Sequence, residues 1–65
     1  MKVSGSKIKE IREVRGVSRV DLAKVADLGE RRIQQVETEP SSNLNLNIAK
    51  AIAKRLGCKL EDIAR

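Results

Sequence analysis

The 65-residue chain contains no Phe, Tyr or Trp, no His, one Cys and one Pro. Each absence removes a class of function. Without aromatic platforms there is nothing on which unpaired bases can stack, which argues against a binder of single-stranded nucleic acid. One thiol, Cys58, and no histidine cannot assemble a metal site or an internal disulfide, so no metal or cofactor is expected and a reducing cytoplasm fits. The carboxylates are scattered or sit at helix starts, so no acid, base or nucleophile constellation can be named and the chain is not expected to be an enzyme. No apolar run approaches the ~20 residues of a membrane span, and the opening MKVSGSKIKE lacks the apolar stretch of a signal peptide. Neither a membrane partner nor a small-molecule ligand is implied.

What is present is positive charge, +5 net with a pI near 9.9, a balance that favours polyanionic partners. It is uneven. Through Val36, nine Lys or Arg face five acids, whereas from Glu37 onward five face four. A chain this short forms one domain at most and must pack efficiently. Its 40% hydrophobic content is almost entirely Ile, Leu, Val and Ala, which suits packed helices.

Periodicity and capping divide the chain into short helices. In KIKEIREVR, Ile8 and Ile11 share a face and Gly16 follows, which predicts a helix over 6–15. Residues 1–5 are expected to be a flexible N-terminal arm. Ser18 with Asp21 three positions on is capping-box-like and starts a second helix. That helix ends near Asp27, where Asp-Leu-Gly tolerates left-handed and turn conformations. Gly29 can cap a third helix over 30–38, with Glu30 in its favourable first turn. Pro40 marks a loop, and the alternation in SSNLNLN, over 41–47, is short, Asn-rich and unpartnered, so it reads as loop and not strand. From Asn47, the stripe Ile48, Ala49, Ile52, Ala53 and Leu56 predicts a fourth helix ending at Gly57, with Lys50 and Lys54 on its solvated side. Leu60 and Ile63, with Glu61 and Asp62 in the first turn, predict a last helix over 59–64. The expected class is all-α, a compact bundle of about five short helices. Cys58 is expected to tuck inward as a small apolar residue, and Val20 and Val25 to be singly exposed.

The third helix carries the chemistry. On a helical wheel Ile33 and Val36 face inward, Arg31 points away, and Gln35 lies one turn on, with Arg32 and Gln34 on the flanks. Arg offers two parallel donors that match O6 and N7 of guanine, and Gln offers the donor and acceptor that match N7 and N6 of adenine. The bland alternative is a solvated face. Glu30 is equally suited to stabilising the helix dipole and to accepting from cytosine N4. Arg19 places a cation at the positive end of the second helix, which is unfavourable unless the residue has another use.

Counting from Arg19, the order Leu22-Ala23, a turn at Asp27, then Leu28, Ile33 and Val36 resembles the helix-turn-helix of phage-repressor and Cro-type regulators. KIKEIREVRGVSRVDLA looks like that family's first helix and its entry to the motif, and AKRLGCKLEDI looks like its fourth-to-fifth-helix junction. The resemblance implies a lambda-repressor-like domain over 6–65 in which the second and third helices form the motif. It implies a sequence-specific transcriptional regulator, a repressor, bound to double-stranded DNA as a homodimer on a near-palindromic operator. Carried over residue by residue, Glu30, Arg31, Arg32 and Gln35 would face base edges. Arg12, Arg19, Gly29 and Thr38 would contact phosphates, and Arg12 would pair with Glu37 between the first and third helices. Leu60, Ile63 and the loop near Leu44 are the candidate dimer contacts.

Some positions depart from the family pattern. Asp27 stands where Gly is usual, Ala26 and Ala49 replace larger apolar residues, and Lys59 takes the place of a capping Ser. TEPSSNLNLN is about two residues longer than the family's loop and has no Lys or Arg, so a phosphate contact there would use hydroxyls, amides or backbone N–H groups. A competing reading is a protein-interaction adaptor or an antitoxin built on the same fold. That role calls for exposed apolar anchors on the outward face of the third helix, where this sequence has Arg and Gln.

Overall fold

The structure, a computed structural model, describes residues 1–65. In chain order the elements are β1 (Lys2–Val3), α1 (Gly5–Val14), α2 (Arg19–Ala26), α3 (Glu30–Thr38), β2 (Ser42–Asn43), α4 (Leu46–Leu56) and α5 (Leu60–Ile63). Local chemistry sets most of the helix ends. Ser18 Oγ accepts the Asp21 N–H at 3.1 Å and opens α2, while Asn45 Oδ1 accepts the Asn47 N–H at 2.8 Å and opens α4. Asp27 closes α2 in the left-handed region at φ 55°, and it is the one non-glycine residue of the chain with positive φ. At α5 the side chain of Lys59 has no lone pair with which to cap. Asp62 reaches back instead, and its Oδ2 accepts the Lys59 N–H at 2.9 Å. The expected Ser18–Asp21 box forms on the serine side only, because the Asp21 carboxylate turns to Arg55, 3.6 Å away on α4.

The core is a single cluster of buried aliphatic side chains, with Ile8, Leu22, Ile33, Val36, Ile52, Leu56 and Ile63 among the most deeply buried. Burying each such side chain is worth about 1.5–3 kcal/mol, which is how a chain without aromatics holds together. Within this core α2 packs on α3 and α4, and α1 on α3 and α5. Ala23 and Ala26 on α2, and Ala49 and Ala53 on α4, are all buried, and their small side chains let the two helices approach closely.

Residues 1–5 depart from the flexible arm expected of them. β1 pairs antiparallel with β2, Lys2 opposite Asn43 and Val3 opposite Ser42, and Val3 also bridges Ala64. The Leu44 N–H donates to the Met1 carbonyl at 2.8 Å, the Ser4 N–H to Ile63 at 2.8 Å, and the Arg65 N–H to Lys2 at 3.1 Å. Val3 is fully buried, and Ser4 caps α1 by accepting the Lys7 N–H at 3.4 Å. The 41–47 segment is accordingly not all loop, since Ser42–Asn43 supplies the partner strand. Two-residue strands leave no periodic trace, and only the return of the chain end creates the pairing. Leu44 and Ile63 are buried in the same cluster, so neither is open to a second molecule as a dimer contact.

Candidate nucleic-acid interface

The outer face of α3 is built at helical spacing. Arg31, Gln34, Gln35 and Thr38 line one shallow groove with no apolar residue among them, and all four are exposed. Ile33 and Val36, on the other side of the helix, are buried and fix its rotation. Glu30 and Gly29 are exposed at the start of the helix, and an added Cβ at Gly29 would meet nothing within 4 Å. Arg32 is half-buried, and its Nη1 donates to Gln35 Oε1 at 3.1 Å. The Gln35 oxygen thus accepts one bond within the helix and keeps a second lone pair, and its amide N–H groups make no bond in the protein. The Thr38 hydroxyl donates to the backbone carbonyl of Gln35 at 3.0 Å.

Behind this face lies a three-residue charge cluster centred on Glu37, whose side chain is 1% exposed. Arg12 Nε donates to Glu37 Oε2 at 2.6 Å, Arg12 Nη2 to Glu37 Oε1 at 3.3 Å, and Arg12 Nη1 to the Val17 carbonyl at 3.1 Å. One guanidinium thus ties α1 to the α1–α2 connection and to α3. Its side chain is 11% exposed, and these three bonds make Arg12 a brace within the fold. Arg19 Nε donates to Glu37 Oε1 at 3.2 Å from the start of α2, and the Arg19 side chain is 38% exposed. Sequence reasoning placed Arg12 with Glu37 but missed Arg19. No spacing rule links a second-helix start to a third-helix end, and the contact exists only once α2 docks on α3.

Cys58 is half-buried against the core. Burial pushes its thiol pKa up, the charge of Asp62 adds to the rise, and the Arg15 guanidinium opposes it. The group is a protonated thiol at neutral pH and packs as a small apolar side chain. Val20 and Val25 are exposed, as are Lys50 and Lys54. No helix is long and apolar enough to cross a membrane.

A short helix, a left-handed turn at Asp27 and a second helix with a polar outer face make up a helix-turn-helix unit. The helix-turn-helix family model matches residues 8–63, and the chain belongs to that family, in its XRE and lambda-repressor-like branch of DNA-binding transcriptional regulators. Among solved structures, the crystal structure of the restriction-modification controller protein C.AhdI from Aeromonas hydrophila has the same fold, with a TM-score of 0.76. The alignment covers 89% of this chain and 86% of that one at 24% identity. No curated protein matches by sequence.

Proposed function

We propose that the protein is a cytoplasmic repressor that binds a near-palindromic operator as a dimer and reads it by laying α3 in the major groove. The observation that carries this reading is the outer face of α3, where Arg31, Gln34, Gln35 and Thr38 form a continuous polar surface over the buried Ile33 and Val36. In this assignment Glu30, Arg31, Arg32 and Gln35 face base edges, and Arg12, Arg19, Gly29 and Thr38 contact phosphates. Arg32 takes one of the two lone pairs of the Gln35 oxygen, so the pair offers N–H donors and one remaining acceptor outward. Such a pair can meet O6 and N7 of guanine, and Gln35 keeps the acceptor that adenine N6 requires. Arg12 contributes by holding α1 and α3 in register. Repression then follows from occupancy, with two copies filling successive major grooves and blocking access to the operator. The structural neighbour is a restriction-modification controller protein, and a controlling role is in keeping with this reading. An adaptor or antitoxin role finds no exposed apolar anchor on this face.

The test is selection from a randomised duplex DNA pool at near-physiological salt, followed by sequencing of what is retained. The expected result is a pseudo-palindromic motif whose half-sites lie about one helical turn apart, ~34 Å. Retention without a motif would overturn sequence-specific reading, and no retention at all would overturn DNA binding.

A further inference from the structure

The charge cluster behind α3 is unbalanced. Glu37 takes two hydrogen bonds from Arg12, which by itself neutralises the carboxylate and satisfies both of its oxygens. Arg19 is surplus to that balance, and yet its Nε is held on the same carboxylate at 3.2 Å. The cluster therefore has one positive charge left over, located on the half-exposed member. The Nη atoms of Arg19 have no protein partner, and since no unpartnered side-chain nitrogen of the chain is buried, both face solvent. The first two backbone N–H groups of α2, those of Arg19 and Val20, also have no acceptor in the protein. A guanidinium gripped by its Nε and open at its two Nη groups has the fork geometry that receives two oxygens of one phosphate.

We infer that Glu37 is a positioning residue for DNA binding: it holds Arg19 by the Nε so that the Nη pair is pre-aimed at a backbone phosphate beside the α3 groove. The inference rests on the DNA-binding reading above and adds a division of labour within one buried carboxylate. Arg12 uses Glu37 to brace the fold, and Arg19 uses it to stay oriented. Holding a long side chain in place before contact lowers the ordering cost that a free surface Arg meets on binding. Lysine cannot replace it, because one ammonium cannot sit on Glu37 and present a planar fork to the phosphate at once.

The experiment measures binding of the full chain to a short random-sequence duplex over a series of salt concentrations. The proteins are the wild type, Arg19→Lys, Arg19→Ala, Glu37→Gln and the double variant Arg19→Ala with Glu37→Gln. Arg19→Lys is expected to keep the fold and weaken binding about tenfold. Arg19→Ala is expected to weaken it further and lower the salt slope by about one unit. Glu37→Gln should weaken binding in the wild-type background and have no added effect once Arg19 is alanine. Arg19→Lys binding like the wild type would overturn the positioning role, since charge alone would then suffice. Equal losses from Glu37→Gln in both backgrounds would overturn it as well, by assigning the effect to the fold. Should Glu37→Gln fail to fold, Arg19→Lys decides alone. A wild-type protein that retains no duplex would remove the DNA-binding reading itself, an outcome distinct from wild-type binding unaltered in Arg19→Lys.

Discussion

Arg31 forms no hydrogen bond or ion pair within the protein, so its replacement alters what the surface offers and leaves the packing alone. Arg31→Ala is expected to lose discrimination at one base pair of the operator by about 1–3 kcal/mol, with the melting temperature unchanged. Affinities measured across single-base operator variants check it, and an equal loss on every sequence would reduce Arg31 to a non-specific charge. Gly5 is its opposite, exposing nothing and deciding much. An added Cβ there would overlap the Val36 carbonyl oxygen and lie 2.8 Å from that of Glu39, both backbone atoms at the end of α3. Gly5→Ala is expected to cost about 1–3 kcal/mol through forced separation of α1 from α3. At roughly 4–8 °C per kcal/mol for a domain of this size, thermal melting shows the effect plainly, and an unmoved transition would mean that the two helices part freely. Arg31 was legible in the sequence because a wheel places it opposite Ile33 and Val36. Gly5 was not, because the requirement for a missing Cβ comes from a helix more than thirty positions away.

At the scale of elements, the α2–α3 turn depends on a residue that its conformation does not favour. Asp27 holds φ 55° with a side chain attached, where glycine would meet no steric penalty. Asp27→Gly is therefore expected to raise stability by up to about 1 kcal/mol, and Asp27→Ala to lower it by a similar amount. Urea midpoints measure both, and a lower midpoint for the glycine variant would show that the aspartate contributes more than backbone geometry. The helices themselves were legible to within a residue or two at most ends, and α3 occupies 30–38 as expected. Their signals are local, an apolar stripe bounded by Ser18, Gly29, Gly57 or Asp27. The β1–β2 pairing has no such signal, and SSNLNLN carries a short alternation that only the arrival of Lys2–Val3 turns into a strand. Likewise the Glu37 cluster was half legible, because Arg12 matched a family pattern and Arg19 became part of it through tertiary docking alone.

Across the whole molecule, the five helices are closed along one edge by backbone pairing, with residues 1–4 bonded to Leu44 on one side and to Ile63 and Arg65 on the other. The amides of Ser4 and Leu44 are expected to exchange with solvent as slowly as amides inside α4. Val3→Ala, removing a fully buried side chain from that seam, is expected to cost about 1–3 kcal/mol. Hydrogen exchange and urea unfolding test these points, and rapid exchange at both amides would restore the picture of a free arm. The pairing of Val3 with Ala64 also places a constraint on timing. On the ribosome, the first strand can pair with Ser42–Asn43 once those residues emerge, but its other edge has no partner until Ala64 has left the exit tunnel. Val3 thus stays covered on one side only while residues 44–63 are made, so the domain closes late, and a stalled chain that lacks its last few residues carries one unpaired edge at β1.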